Sequence, residues 1–389
     1  MALLPAFREN RDMRALCNAA DWAEHWLSSA ALPVWWQLGA DRTHGGFYEK
    51  LSLTGEPAHE PRRFRVQVRQ LYVYAEAQLY KLYDQAPQAM DHALATVLPA
   101  YVPGQGFPKL LSPENKIVDA SFDPYDNAFG LYGLAAAYRV SGDKKLAEMA
   151  RDLTGIFDTQ HKHPIAGYIE PLPLRANPHM HLLEAFMLWA EATEDQFWYD
   201  HARAMTKLCT ERFFDRQTNT LREFFDLSWQ VFPGPQGQQV EPGHHYEWAW
   251  LLDRWKILSG EDHTDIADAL YLWAEAHGVD PARGVAVDEM TADGQIVKPT
   301  ARQWPQTERL KAALSRWQRT QDSAAVEVAL SSMQALQVYL SAPTEGLWHD
   351  TMQPDGSFKK GPAWASSFYH YMCAFVELRN AAATVQNNQ

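Results

Sequence analysis

The sequence predicts an all-α protein, an (α/α)6 barrel (toroid) with short β-hairpins at one face. Six short segments rich in Gly, aromatic and acidic residues recur about every sixty residues, and long apolar-periodic stretches separate them. A fixed period in this range indicates a repeat architecture. The roughly fifty residues between segments are enough for two helices with their turns. Six helix pairs make twelve helices, and a ring is the most economical way to close them.

The short segments are the predicted hairpins. They begin at Gly45, Gly104, Gly167, Leu221, Gly284 and Gly346. Turn sequences suited to a hairpin follow the first and the last segment, at Leu53-Thr-Gly-Glu and Gln353-Pro-Asp-Gly-Ser. A length of 389 residues alone would suggest two or three domains. Because a toroid shares one continuous core, we expect residues 1–389 to form a single catalytic domain.

The stretches between the segments are predicted to be helical. Apolar residues recur there at i, i+3 and i+4, most clearly over residues 65–80, 126–140, 180–192, 244–252 and about 366–378. In each stretch the polar residues lie in the first turn or two. If all these helix N-termini open on one face of the ring, they define a single concave site.

Charge and motifs argue against several classes of function. The formal net charge of −13 and the lack of a basic patch argue against nucleic-acid binding. The sequence contains no GxGxxG or GxxxxGK[ST] phosphate loop and no GxSxG nucleophile elbow. No run approaches eighteen uninterrupted apolar residues, so no membrane span is expected.

Cysteine usage and the N-terminus predict a cytoplasmic protein. Cys17, Cys209 and Cys373 lie far apart with no CxxC pair, which favours free thiols in a reducing compartment. The N-terminus has no basic start followed by an apolar run, so no signal peptide is predicted. The oligomeric state cannot be read from the sequence.

Two histidine–glutamate pairs lie at helical i, i+3 spacing, His181 with Glu184 and His244 with Glu247. Such pairs could be halves of a metal cluster. The further carboxylates of such a cluster cannot be placed, and we predict no metal and no cofactor. The same pairs suit proton transfer, because a carboxylate one turn away fixes the orientation of a histidine and raises its basicity.

Two further features point to a polar site. His370 lies between aromatic residues in the last predicted helix. Arg65 and Arg69 share one face of a helix that is otherwise apolar. A buried arginine there would need anionic or carbonyl partners.

The chain resembles the N-acylglucosamine 2-epimerase superfamily, which includes cellobiose 2-epimerases, N-acylglucosamine 2-epimerases and mannose isomerases, all of them (α/α)6 barrels. The similarity spans nearly the whole chain. It rests on segments in matching order and spacing, namely Gly45-Gly-Phe-Tyr-Glu, Gln67-Val-Arg-Gln, Tyr125-Asp-Asn-Ala-Phe, Asn177-Pro-His-Met-His-Leu-Leu-Glu-Ala, Pro242-Gly-His-His-Tyr-Glu, Trp304-Pro-Gln-Thr-Glu and Tyr369-His.

The resemblance implies roles for individual residues. Arg69 would contact the sugar oxygens at the reacting carbons. His244 and His370 would be the proton-transferring pair, and Glu247 would orient or assist His244. Substrate binding would involve Asn177 and His181, which would also help to open the sugar ring, together with Tyr125, Trp304, Glu308 and Trp364.

Such residues predict enediol chemistry on a monosaccharide. A base takes the proton from carbon 2 while Arg69 stabilises the charge on the carbonyl oxygen. Returning the proton to carbon 1 gives a ketose, and returning it to the other face of carbon 2 gives the epimer. The Asn-x-x-Met-His-x-x-Glu-Ala and Gly-His-x-x-Glu-Trp-Ala patterns resemble the mannose isomerase branch. We therefore expect an aldose–ketose isomerase of the D-mannose to D-fructose type.

Three alternatives stay open at this point. The first is a sugar 2-epimerase of the N-acylglucosamine, mannose or cellobiose type. The second is an α/α-toroid glycoside hydrolase, which would need two carboxylates across the scissile bond. The third is a catalytically silent sugar-binding protein. The absence of an obvious phosphate cradle favours unphosphorylated sugars.

Overall fold

The structure, a computed structural model, describes residues 3–387 and the side chains of residues 11–386. Twelve long helices within this range form two concentric rings. The inner ring consists of α3 (Phe64–Leu79), α5 (Pro124–Ser141), α7 (Ala176–Thr193), α10 (Pro242–Ser259), α12 (Trp304–Thr320) and α14 (Phe368–Asn387). The outer ring consists of α1 (Leu3–Trp26), α4 (Ala86–Ala100), α6 (Lys144–Gln160), α8 (Gln196–Leu208), α11 (Thr264–His277) and α13 (Ser323–Tyr339).

The inner ring is closed. Each inner helix contacts the next one along the chain, and α14 contacts α3. Each outer helix packs on the inner helix that precedes it, except that α1 packs on α14. The first helix of the chain therefore completes the pair whose other member is the last helix. The predicted (α/α)6 barrel is confirmed.

The inner helices are buried on nearly all sides, because they contact neighbours in the ring and an outer helix behind. Thirteen of the sixteen residues of α3 are buried. Small residues permit this crowding. A Cβ added to Gly133 of α5 would lie 3.0 Å from the carbonyl oxygen of Val68 in α3, so glycine allows these two helices to approach closely.

Shorter helical pieces complete the chain. They are α2 (Leu32–Gln37), α9 (Pro235–Gln238), π-helical turns at Leu27–Ala31 and Cys209–Phe213, and a 3₁₀ turn at Ala365–Ser367. None of the described helices is long and apolar enough to cross a bilayer.

Strands of two or three residues lie between the helices. They are β1 (Lys50–Leu51), β2 (Arg62–Arg63), β3 (Leu110–Leu111), β4 (Ile117–Asp119), β5 (Leu174–Arg175), β6 (Phe214–Asp215), β7 (Thr220–Leu221), β8 (Phe224–Phe225), β9 (Gln239–Val240), β10 (Val279–Asp280), β11 (Val285–Ala286), β12 (Glu289–Thr291), β13 (Ile296–Lys298), β14 (Ala301–Arg302), β15 (Thr351–Met352) and β16 (Ala363–Trp364). Several of them directly precede an inner helix, and they therefore lie at the end of the ring where the inner helices begin.

Strand pairing links neighbouring repeats as well as forming hairpins. Hairpins join β3 to β4, β6 to β7, β10 to β11 and β12 to β13, all antiparallel. Other antiparallel pairs cross between repeats, such as β2 with β3, β5 with β8 and β14 with β15. Pairing of β1 with β16, with Lys50 opposite Trp364, ties the first repeat to the last. The strands thus reinforce the closure that the helices establish.

Candidate active site

A cavity of about 350 Å³ opens where the inner helices begin. Nine of the ten predicted site residues line it, because each lies in the early turns of an inner helix or just before one. They are Arg69, Tyr125, Asn177, His181, His244, Glu247, Trp304, Trp364 and His370. The tenth, Glu308, is fully buried and lies behind His370.

His244 lies in the first turn of α10 and is held on both sides. Its Nδ1 is 3.0 Å from Oε1 of Glu223, and its Nε2 is 2.9 Å from the side-chain amide of Asn177. Turning that amide by 180° points its oxygen, which has no other hydrogen-bond partner, at Nε2, and a protonated Nε2 can then donate to it. Burial alone would lower the pKa of His244, but the surrounding carboxylates, led by Glu223 and including Glu241 and Glu247, raise it to about 10. His244 is therefore an imidazolium at neutral pH.

The environment of His370 lowers the pKa of this histidine, whereas that of His244 raises it. Its Nδ1 is 2.9 Å from Oε1 of Glu308, and Oε2 of Glu308 is 2.7 Å from Nζ of Lys311. Burial lowers the pKa of His370 to about 4, and the positive charges of Arg69 and Lys311 act in the same direction, against Glu308. His370 is therefore a neutral imidazole at pH 7, and its Nδ1–H donates to Glu308 while Nε2 keeps its lone pair.

Trp304 lies against both histidines. The centroid of its ring is 5.2 Å from that of His244 and 5.6 Å from that of His370. The Trp304 side chain fits because Gly243 begins the neighbouring helix. A Cβ at Gly243 would lie 2.5 Å from the Trp304 ring. The Pro-Gly-His sequence thus positions a histidine and makes room for the aromatic wall beside it.

Arg69 supplies a positive charge to the cavity. It is only 5% exposed, yet it has no carboxylate within ion-pair distance among the described residues. Its Nη1 donates to the carbonyl oxygen of Ser366 at 3.0 Å, its Nη2 donates to Tyr125 Oη at 2.7 Å, and its guanidinium lies 4.0 Å over the Phe129 ring. A buried cation with neutral partners suits an oxygen on which negative charge develops.

One group of donors in the described part of the chain could be considered for a metal ion. His181, Glu184 and Glu247 offer ligand atoms within 4.8 Å of one another. However, Glu184 Oε2 already accepts from Tyr369 Oη at 2.6 Å and contacts His181 Nδ1 at 3.3 Å. Burial also raises the pKa of Glu247 well above its usual range, helped by Glu308. With one oxygen of Glu184 engaged, the three residues do not make a complete ligand set for a divalent cation, although Glu184 Oε1 and Glu247 Oε1 have no hydrogen-bond partner.

Chelation is accordingly expected to leave activity unchanged. After exhaustive dialysis against EDTA, turnover should equal that of the untreated enzyme, because the three candidate donors do not make a complete ligand set. The measurement compares initial rates before and after dialysis and after adding back Mg²⁺, Mn²⁺ or Zn²⁺. Loss of activity that one of these ions restores would make His181, Glu184 and Glu247 the first candidates for a metal site.

A side lobe adjoins the cavity, and several arginines and a lysine line it. Its volume is about 480 Å³, and its basic lining residues are Arg63, Arg65, Arg69, Lys109 and Arg175. Buried carboxylates hold three of the arginines from behind. The pairs are Arg63 with Glu49, Arg65 with Asp126 and Arg175 with Glu170. The side chains of these three arginines remain 20–38% exposed. The lobe therefore presents N–H groups to a ligand although its charges are largely balanced.

Two important residues were not predicted from the sequence. Glu223, in the segment between β7 and β8, is the carboxylate within hydrogen-bonding distance of His244. Glu247, the expected partner, lies instead with Oε1 3.8 Å from Nδ1 of His181. Lys311 was also missed. Its i, i+3 spacing from Glu308 is visible in the sequence, but the same spacing is common in ion pairs on helix surfaces.

The fold and the site define an enzyme of the helical-barrel class, with two histidines facing a polar cavity at one end of the ring. The sequence matches the N-acylglucosamine 2-epimerase (GlcNAc 2-epimerase) family over residues 46–374, and the chain belongs to this family. It is a carbohydrate isomerase or 2-epimerase.

Individual relatives agree with this assignment. The chain is 40% identical over 369 residues to a mannose-6-phosphate isomerase of Rhizobium meliloti (strain 1021), covering 91% of this chain and 95% of the relative. The fold is similar to that of cellobiose 2-epimerase from Bacillus thermoamylovorans B4167, with a TM-score of 0.85, 20% identity and coverage of 93% and 98% of the two chains. A D-mannose isomerase structure gives a TM-score of 0.82, 19% identity and coverage of 95% and 97%.

Proposed function

We propose that the protein is an aldose–ketose isomerase that interconverts a mannose-type aldose and the corresponding fructose-type ketose through an enediol intermediate. The observation that carries this proposal is a pair of histidines that face one cavity, each anchored at Nδ1 by a buried glutamate, of which only Glu308 is paired with a lysine. Carboxylates around His244 raise its pKa, whereas burial and nearby cations lower that of His370. When the environments of two titratable groups push their pKa values apart, the groups are suited to act as base and acid.

In the proposed reaction, His370 moves the carbon-bound proton. Nε2 of His370 takes the proton from carbon 2, and the imidazolium formed returns it to carbon 1. His244 donates a proton to oxygen 1 in the first step and accepts the proton of oxygen 2 in the second. Arg69 stabilises the negative charge that develops on the sugar oxygens during each step, before proton transfer with His244 is complete. Both histidines end in their starting protonation states, so the cycle balances.

The remaining site residues bind and prepare the sugar. Asn177 and Tyr125 line the cavity next to His244 and Arg69, where they suit sugar hydroxyls. Trp304 and Trp364 offer apolar walls for the sugar carbons. Ring opening is assigned to Asn177 and His181 by the family resemblance. Glu247, whose pKa is raised by burial, would donate a hydrogen bond to the sugar as a neutral acid.

Incubation in heavy water tests the reaction. Mannose is expected to give fructose as the main product, with part of the carbon 2 hydrogen carried to carbon 1, because one base serves both carbons. Products and deuterium positions are read by NMR, with glucose, lyxose, cellobiose and N-acetylmannosamine as parallel substrates. If mannose gives chiefly glucose, or if N-acetylmannosamine gives N-acetylglucosamine, the enzyme is a 2-epimerase and His244 acts on carbon 2 from the opposite face.

A second candidate substrate is the 6-phosphate of the same sugar. Two observations favour it: the arginine-lined lobe next to the reacting histidines, and the name of the 40% identical relative. A phosphate in the lobe would accept hydrogen bonds from the exposed guanidinium N–H groups and from Lys109, whose side chain is 48% exposed.

The lobe is tested by comparing mannose with mannose 6-phosphate. If phosphate binds there, Lys109→Met should lower kcat/KM for mannose 6-phosphate about tenfold or more and leave mannose unaffected, since a hydrogen bond to a charged group contributes about 1.5–3 kcal/mol. Lys207→Met, an exposed lysine paired with Glu211 near the end of α8, is the matched control. Equal kcat/KM for both sugars in the wild type would exclude a phosphate-specific lobe.

A further inference from the structure

The two histidine–glutamate pairs of the site differ in one charged neighbour. Glu223, which holds His244, has no lysine or arginine within ion-pair distance among the described residues. Glu308, which holds His370, is paired with Lys311. Two similar dyads in one cavity therefore have different net charges.

We propose that Lys311 is a positioning residue that determines which histidine is the base, because its charge lets the buried Glu308 stay ionised as an anchor for Nδ1–H of His370 and at the same time disfavours a second positive charge on His370, whose Nε2 stays free. This inference rests on the proposed function, since it concerns the base of that reaction. Lys311 touches no substrate atom in this scheme and acts on the His370–Glu308 dyad, mainly through its ion pair with Glu308.

The position of Lys311 is unusual for a lysine. Its side chain is 0% exposed, its Nζ is 2.7 Å from Oε2 of Glu308, and the same nitrogen lies 3.7 Å from the centroid of the Trp250 ring. Burying an ammonium group is costly unless its charge is compensated. A methionine would fill this space without that cost, and hence the charge itself needs an explanation.

The charge of Lys311 determines how many protons the His370–Glu308 dyad holds. The ion pair with Lys311 stabilises the ionised form of Glu308. The negative charge of this carboxylate is therefore balanced by Lys311, and His370 does not need to be protonated to balance it. Burial by itself would raise the pKa of Glu308, but Lys311 and His370 together hold it at about 2. Without Lys311, the buried carboxylate would gain its compensating charge by taking up a proton, either on itself or on His370. In both cases the dyad no longer offers a neutral imidazole anchored by a carboxylate.

Other groups around the dyad cannot replace Lys311. The charged and titratable groups around the dyad and Lys311 are Arg69, Glu184, His244 and Glu247 on other inner helices and Tyr369 and Cys373 on α14, the helix of His370 itself. Arg69 is committed to Ser366 and Tyr125. The acidic members of the set would favour protonation of the dyad. Lys311 is therefore the cation that offsets them.

The pH dependence of kcat/KM tests this inference. In Lys311→Met, the acid limb of the profile should move to higher pH by about one unit or more, because the His370–Glu308 dyad holds an additional proton. Arg309→Met is the control, since Arg309 is a buried cation on the same helix that pairs with Glu275 away from the cavity. It is expected to lower stability without moving the acid limb. An unmoved acid limb in Lys311→Met would overturn the inference.

A second pair of variants covers the case in which Lys311→Met does not fold. Glu308→Gln removes the charge through which Lys311 acts, and adding Lys311→Met to it gives a neutral pair. The acid limbs of the single Glu308→Gln variant and of the double variant should differ by less than about one unit, because only the direct repulsion between Lys311 and His370, and no ion pair with Glu308, separates them. A difference of about one unit between them would show that Lys311 acts on His370 independently of Glu308.

NMR of the histidine side chains separates this inference from the proposed function. In wild-type protein labelled with ¹⁵N-histidine, the His370 signal should remain that of a neutral imidazole with Nδ1 protonated from pH 7 down to about pH 5. In Lys311→Met, the dyad should take up its proton within that range. This readout needs no substrate, so it holds even if the sugar or the reaction is assigned wrongly. Identical titrations in both proteins would overturn the inference.

Discussion

Replacing His370 or His244 with asparagine is expected to lower turnover by at least about two orders of magnitude, which is typical of losing a general acid or base. Asparagine keeps a polar side chain, but it cannot accept and return a proton. Loss of His370 removes the base that moves hydrogen between carbons 1 and 2. Loss of His244 removes the group that exchanges protons with the sugar oxygens. Initial rates with saturating sugar measure both effects.

His245 provides a matched control for this experiment. It is adjacent to His244 and fully buried, but its Nδ1 hydrogen-bonds to the carbonyl oxygen of Glu241, and its ring stacks on Trp273 outside the cavity. His245→Asn should lower thermal stability and leave the turnover of the folded fraction within a few-fold of wild type. Near-normal turnover in His244→Asn or His370→Asn would show that the site is assigned wrongly.

The helical part of the fold was predictable because its signal is periodic and local. The prediction over residues 65–80 differs by one residue at each end from helix Phe64–Leu79. The order of the rings also follows from the repeat. Strand pairing was less accessible, because each strand has only two or three residues and some partners lie far apart in the chain. Nothing in the sequence around Lys50 indicates that it pairs with Trp364.

The candidate site was predictable to the extent that its residues lie in the first turns of helices. Asn177, His244 and His370 are separated widely in sequence, yet the ring brings the starts of their helices to one cavity. Charge balance was not predictable in the same way. Whether a glutamate supports a histidine depends on which hairpin or helix lies beside it, and Glu223 reaches His244 from a loop between two short strands.

Arg69→Met is expected to lower kcat by about 10²–10³, the usual effect of removing one donor to a developing oxyanion. Lysine should not restore the rate, since Arg69 donates from two different nitrogens to Ser366 and Tyr125 and a single ammonium cannot keep that geometry. The stability of the variant should be equal to that of the wild type or higher. Removing Arg69 leaves no carboxylate unpaired. Burying its guanidinium among neutral partners costs folding free energy, and we attribute the retention of this charge to its role in the reaction.

Arg62→Met is the contrasting variant. Arg62 is 1% exposed and forms an ion pair with Asp41, and its Nη1 donates to the carbonyl oxygen of Gly45 at 2.8 Å, away from the cavity. Its removal deprives a buried carboxylate of its guanidinium and leaves it His44 and two backbone N–H groups, so the loss of unfolding free energy should approach the about 3–5 kcal/mol typical of breaking a buried ion pair. The unfolding free energy, from chemical denaturation, and kcat are measured on both variants. Arg62→Met should lose stability and keep its turnover, whereas Arg69→Met should keep its stability and lose turnover. If Arg69→Met also unfolds readily, its guanidinium stabilises the barrel, and another donor must be sought for the sugar oxygen.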